Sequence, residues 1–449
     1  VRESLSSRNA ALRLLEERVK NVIGALLLGA ALCIARASVR AAPNETPPSA
    51  LQPVPQTGVR ADSIRKHLQH VTLPPGFEIS LYAVVPGARA LAVGPHGSIT
   101  FVGTRNDRVY ALVDRTNRGV ADSVTLFAPN VSKKLANGVC VSSDGVLYVV
   151  EQNRVLAYPA VESSAEDPDI AATVVVPQGN LIPARFESLN HSARYCRVGP
   201  DGKLYIAIGQ PYNVPPASVW PMLRAAGLGA IVRMNRDGTG REIYAYGIRN
   251  SVGLDFDPID NTLWFTDNQV DGMGDDIPPG ELDHATGLGE DFGFPYYGGG
   301  HIRTKEYLRQ TPPSGLVFPT VEETAHAADL GMSFYVGTMF PAAYRGAIFS
   351  AQHGSWNRSV RVGARIMVTF LQPDGSVTQR PFAEGWLDKN GRYLGRPVDV
   401  QQLHDGSLLV SDDFAGAVYR ITYRDPNATR SIFTKPRLPE PSGAATTKI

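Results

Sequence analysis

Along residues 70–424 apolar and polar positions alternate over short runs, and the runs come in pairs separated by a turn dipeptide. The pairs are Leu91–Gly103 around His96-Gly97, Gly138–Val150 around Asp144-Gly145, Tyr195–Gly209 around Asp201-Gly202, Val252–Asp267 around Asp260-Asn261, Met339–Gln352 around Arg345-Gly346, and Val398–Asp412 around Asp405-Gly406. Period-two alternation predicts strands, and Asp-Gly or similar pairs supply the positive φ angles of a two-residue hairpin. Third strands are predicted at Arg108–Leu112, Arg154–Tyr158, Ile231–Asn235, Arg365–Phe370 and Ala417–Thr422. Turn-to-turn spacings of 48, 57, 59, 85 and 60 residues suit four-stranded blades with insertions, the largest between the fourth and fifth copies. The predicted fold class is all-β, a six-bladed β-propeller over residues 71–424. Phe77–Val84 stands alone before the first pair. It is predicted to close the ring as the outer strand of the sixth blade, leaving no open sheet edge at the seam.

The first residues break this pattern. Arg13, Arg18 and Lys20 precede an apolar run from Val22 to Ile34, followed by Ala35-Arg36-Ala37. That order predicts a signal peptide over 1–37 and export to the periplasm or medium. The run is shorter than the roughly 20 residues a spanning helix needs, so no stable membrane insertion is predicted. Residues 38–70 read as a linker and 425–449 as a disordered tail, both rich in Pro, Ser, Ala and Thr. Removing 1–37 takes away six basic and three acidic side chains and turns a formal charge of +1 into −2, which argues against nucleic acid as a partner. Cys140 and Cys196 then remain. Two buried thiols are the default reading and one bridge the alternative.

In a propeller, the residues before each first strand and after each second strand meet at one mouth of the central channel. Here those positions are Arg105, Asn137, His191, Gln210, Arg249, Asn250, Asp267–Asp276, His353–Arg358 and Arg396. Polar convergence of this kind is what a ligand site needs. Competing signals fail on spacing. Gly287-Leu288-Gly289 with Gly293 misses a dinucleotide loop by one residue, Asp114–Gly119 has Thr116 and Arg118 where a calcium loop needs ligands, and cysteine and histidine do not cluster as in a zinc site.

Several of these stretches resemble the sorbosone and soluble aldose dehydrogenase family, in order over roughly residues 70–423. They are Asn190-His191, Val198–Tyr205, Tyr246-Gly247-Ile248-Arg249-Asn250-Ser251-Val252-Gly253-Leu254, Leu263–Asp267 with Gly274-Asp275-Asp276, Gly293-Phe294-Pro295, Phe340–Gly346, His353-Gly354-Ser355-Trp356-Asn357-Arg358, and Gly395–Val400. The resemblance implies an enzyme that oxidises an aldose or sugar aldehyde with pyrroloquinoline quinone (PQQ) and Ca²⁺, passing electrons to an external quinone or cytochrome acceptor. It implies that His191 is the general base, that Arg249, oriented by Asn250, lies against the quinone, and that Arg396 binds a cofactor carboxylate. The backbone oxygens of Gln269 and Val270 would hold Ca²⁺, with Asp275 or Asp276 bracing the loop. The family's second arginine, two positions after Arg396, is Val398 here. Arg105 or Arg358 would have to supply that charge.

Two further readings remain at this level: a Ca²⁺-dependent propeller lactonase, and a non-catalytic exported propeller that binds a glycan or protein. Insertions such as Val214–Ala230 and Gly280–Arg303 carry no readable code for a particular sugar.

Overall fold

The computed structural model describes residues 53–426, and the predicted signal peptide, the start of the predicted linker and nearly all of the predicted tail lie outside them. Six sheets, antiparallel apart from one added strand in blade 3, form the six blades. Each first strand lies innermost, and those of neighbouring blades pack against one another around the ring. Blade 1 begins at Leu91–Val93, blade 2 at Gly138–Val141, blade 3 at Arg194–Val198, blade 4 at Gly253–Phe256, blade 5 at Asp329–Phe334 and blade 6 at Pro397–Gln402. Second strands such as Ile99–Gly103 and Leu204–Ile208 are buried along their whole length. Their alternate side chains face the blade on either side, so both faces are covered.

The seam is closed as predicted. Phe77–Val84 pairs antiparallel with Ala417–Tyr423 and becomes the outer strand of blade 6. Its first side chain, Phe77, packs edge-on against Phe340 and Phe382 of the adjoining blade, with ring centroids 4.8 and 4.9 Å apart. Such aromatic contacts add to simple area burial and fix the approach of the strand.

Four expectations need correction. The hairpins are not two-residue turns: the loops run over 94–98, 142–146, 199–203 and 403–407, and only the glycine of each pair (Gly97, Gly145, Gly202, Gly406) has positive φ. The aspartates instead fold the loop through their side chains, as when Asp201 Oδ1 accepts the Lys203 N–H at 3.1 Å and Asp405 Oδ1 accepts that of Ser407 at 2.9 Å. In blade 5 the first strand lies upstream of Met339, and 335–347 is a connection with a 3₁₀ turn at Ala342–Tyr344. Phe340 imitates a strand position because it is buried in the aromatic cluster at the seam. The linker over 38–70 is in its described part a docked segment: Val59–Leu68 is helical and buries Ala61, Ile64 and Leu68, spaced for one face. Ahead of it, the Gln56 side chain accepts the Val84 N–H and donates to the Val84 carbonyl. Finally, Cys140 and Cys196 form a disulfide that joins the inner strands of blades 2 and 3.

Blade 3 gains a fifth strand, Glu290–Asp291, which pairs parallel with Glu242–Tyr246. It comes from the long insertion between the third and fourth strands of blade 4, so the 85-residue spacing reflects an insertion that stitches blades 3 and 4 together beside the mouth.

Candidate functional site

A cavity of about 180 Å³ lies among the mouth loops, lined by His191, Arg249, Asn250, Gln269 and Asp271 on one side and His326, Asp329, Trp356 and Asn357 on the other. His191 precedes the inner strand of blade 3 with φ +48°, a left-handed conformation uncommon outside glycine. Its Nδ1 lies 2.5 Å from the Gln210 carbonyl at the end of the second strand of the same blade. A carbonyl accepts only, so Nδ1 carries the hydrogen and the Nε2 lone pair is left to accept a proton. Burial, then the positive charge of Arg249, with smaller contributions from Arg194 and Arg105, pushes the His191 pKa down to about 3 despite that hydrogen bond. The ring is neutral at physiological pH.

Arg249 enters blade 4 and is 3% exposed. Its Nε donates to the Asn213 carbonyl at 3.1 Å, Nη1 to the Asn268 carbonyl at 2.9 Å, and Nη2 to Asn213 Oδ1 at 2.8 Å and Asp271 Oδ2 at 3.0 Å. One Nη1–H is therefore uncommitted among the described residues. Burial lowers the Arg249 pKa, with Asp271 and Asp267 acting in the opposite direction. Asp271 also accepts from Asn357 Nδ2 at 2.6 Å, which ties the loop of blade 4 to that of blade 5.

The stretch after Asp267 behaves as a braced loop. Asp275 accepts the Ser359 N–H through both carboxylate oxygens, at 3.2 and 3.1 Å, and Asp276, 88% exposed, pairs with Arg358 at 2.9 Å. His326 Nε2 lies 2.8 Å from the Gly274 carbonyl and 3.1 Å from that of Ile277. Among the described residues the carbonyls of Gln269 and Val270 accept no hydrogen bond, and Gln269 Oε1 is buried without a partner. Two unspent carbonyls and an orphaned amide oxygen are hard oxygen donors of the kind Ca²⁺ takes.

Structure thus gathers His191, Arg249, Asn250 and Gln269 into one cavity. Val270 sits behind it in an apolar cluster with Phe294 and Tyr307. Arg358 does not face the cavity: its guanidinium donates to the Asp275 carbonyl and to Asp276, so it braces the loop and is not available as the missing cation. Arg396 donates through Nε and Nη2 to the carbonyls of His353 and Gly354, at 3.0 and 2.6 Å, and its guanidinium carbon lies 4.8 Å over the Tyr393 ring. Arg105 makes one long bond, 3.4 Å, to the Leu189 carbonyl. Val398 is buried with Val252 and Leu330, an apolar contact between the inner strands where a second arginine would otherwise stand. Sequence reasoning missed Asn213 and His326, which lie in connections without motif or periodicity, and Asp329, which opens the inner strand of blade 5 that the sequence placed too far downstream.

The family model for glucose/sorbosone dehydrogenases matches residues 180–420, from the approach to blade 3 through most of blade 6. An uncharacterised protein of Borreliella burgdorferi is 33% identical over 360 residues, 78% of this chain and 90% of its own length. The chain belongs to the glucose/sorbosone dehydrogenase family. Among solved structures, the calcium structure of a Trichoderma reesei carbohydrate-active enzyme of family AA12 superposes with a TM-score of 0.66 at 18% identity, covering 79% of this chain and 97% of that one. The holo form of the pyranose dehydrogenase PQQ domain from Coprinopsis cinerea gives 0.63 at 16% identity, covering 78% and 97%. At these identities the structures establish a shared propeller. No helix among the described residues is long and apolar enough to cross a membrane.

Proposed function

We propose that this protein oxidises an aldose or sugar aldehyde with PQQ as the bound oxidant and Ca²⁺ beside it. The observation that carries the reading is the pairing of a neutral, tautomer-fixed His191 with the buried Arg249 in one cavity. The solved relative from Coprinopsis cinerea is a PQQ domain and that from Trichoderma reesei a calcium structure, which supports both groups here. When bound, PQQ supplies a two-electron acceptor and Ca²⁺ polarises it. The chain's residues do the rest.

His191 Nε2 takes the proton of the sugar hydroxyl whose carbon is oxidised, while the Gln210 carbonyl holds the ring in place. General bases work best with a pKa near the operating pH. The value of about 3 comes first from burial and then from the charge of Arg249, and the carboxylates of a bound anionic cofactor would offset the arginine part and raise it. Arg249 contributes its remaining Nη1–H and its charge, and the carbonyls of Gln269 and Val270 are the proposed cation ligands. Trp356, 75% exposed at the cavity rim, offers a flat apolar surface beside the entrance. Export to an oxidising compartment is part of this proposal and is supported by the Cys140–Cys196 disulfide. The test is the absorbance of purified protein after PQQ and Ca²⁺ are added: a bound-quinone spectrum bleached by an aldose is expected, and absence of binding overturns the reading.

A further inference from the structure

Blades 4 and 6 repeat one detail that neither the hairpin pattern nor the cavity requires. The second strand of blade 4 ends at Asp267, whose Oδ2 accepts the backbone N–H of Arg249 at 2.8 Å and whose Oδ1 accepts that of Asn250 at 2.6 Å. The second strand of blade 6 ends at Asp412, whose Oδ2 accepts the backbone N–H of Arg396 at 2.9 Å. The Tyr419 hydroxyl donates to the same oxygen at 2.7 Å and the Ala415 N–H to Oδ1 at 2.8 Å, so the second carboxylate is itself clamped. Both aspartates are wholly buried. In a propeller the residue leaving the second strand and the residue entering the first strand lie side by side at the same mouth. In these two blades that junction joins a carboxylate to the main chain of an arginine.

The chemistry suits the task. A carboxylate offers two acceptor oxygens and no donor, so it takes two backbone N–H groups at once, and charge-assisted bonds of this kind are short and strong. An asparagine at 267 would turn an NH₂ group toward one of the two amides.

We infer that Asp267 and Asp412 are positioning residues for an anionic cofactor, fixing the main chain from which Arg249 and Arg396 project at the mouth. The inference rests on the quinoprotein reading. Asp283 provides an internal control: it lies on the third strand of blade 4, is equally buried, and neither of its oxygens has a hydrogen-bond partner among the described residues.

The experiment compares PQQ affinity, by quenching of intrinsic fluorescence in the presence of Ca²⁺, for wild type, Asp267→Asn, Asp412→Asn and Asp283→Asn. Each is measured at the same interval below its own melting temperature. Asp267→Asn is expected to weaken PQQ at least tenfold, Asp412→Asn several-fold, and Asp283→Asn less than twofold. Equal affinities in all four proteins overturn the inference, as does equal weakening in all three variants, because exchanging any buried carboxyl for an amide would then suffice. If Asp267→Asn does not fold, the contrast between Asp412→Asn and Asp283→Asn decides. Wild type that fails to bind PQQ overturns the quinoprotein reading instead, and the cofactor role of both aspartates with it.

Discussion

The Tyr195 hydroxyl of blade 3 donates to both carboxylate oxygens of Asp399 in blade 6, at 3.0 and 3.1 Å, across the centre of the ring. The backbone N–H of Leu91 in blade 1 reaches the same carboxylate at 2.7 Å. Inner strands of three blades are thus tied at the axis by buried polar groups. Replacing Tyr195 by Phe removes one donor and leaves Asp399 short of a partner where water has little access. A loss of about 1–3 kcal/mol is expected in denaturant titration. An unchanged midpoint would show that the ring does not depend on this contact.

The same carboxylate belongs to a set that sets the pH response of stability. Burial pushes Asp399 and Asp412 up to about 6 and Glu323 up to about 7. In the unfolded chain such groups titrate near 4, so between about pH 4 and 7 the folded protein holds more protons than the unfolded one. Their contribution to stability is fully present below about pH 4 and is lost as pH rises through 6 and 7. The buried His191, with its lowered pKa, acts in the opposite direction below about pH 6.5. The melting temperature should fall over this interval if the raised carboxylates dominate, and a rise would show that they do not.

The propeller was legible because each inner hairpin repeats a local pattern. Its details were not: the Asp-Gly pairs announced turns but not loop length, which depends on an Asx hydrogen bond, and Phe340 looked like a strand because burial in an aromatic cluster imitates alternation. His191, Arg249 and Asn250 were legible because strand ends in a propeller map to one mouth, and Gln269, within the Asp267–Asp276 stretch, through the family resemblance. Arg358 could not be judged, because whether its charge faces the cavity or Asp276 is a matter of side-chain direction. His326 carries no sequence signal, being placed by a connection, and Asp329 was missed because the inner strand it opens lies upstream of the buried Phe340 that imitated one.

The bridge between Cys140 and Cys196 joins two inner strands just below the loop that carries His191. Closing a loop of 56 residues is expected to contribute about 2–4 kcal/mol. The double serine variant should lose that much in denaturant titration, and reduction of the wild type should reproduce it. Equal stability of oxidised and reduced protein would remove the bridge from the account.

Replacing His191 by Gln tests its role as a base directly. Glutamine can keep a hydrogen bond to the Gln210 carbonyl but has no group that accepts a proton near pH 7. Bleaching of bound quinone by an aldose in a single turnover should slow by roughly 10²-fold or more, with PQQ affinity retained. An unchanged rate would remove His191 from the chemistry, and lost affinity would make it a cofactor contact.

Arg249→Lys separates charge from geometry at the centre of the cavity. The guanidinium reaches the Asn213 carbonyl, Asn213 Oδ1, the Asn268 carbonyl and Asp271 Oδ2 together, so it joins the 213 connection to the loop after Asp267. Lysine keeps the positive charge but concentrates it at one atom with three donors on a flexible stem, and cannot span both loops. If charge alone attracts the quinone, affinity should hold. If the fixed fork matters, the 213 connection loosens, Asp271 loses its partner, and PQQ affinity falls by about tenfold, equivalent to about 1.4 kcal/mol. Hydrogen exchange provides the second readout: amides of 212–214 and 269–272 should exchange faster in the variant while those of blade 1 stay unchanged. Retained affinity with unaltered exchange would show that Arg249 acts through its charge alone.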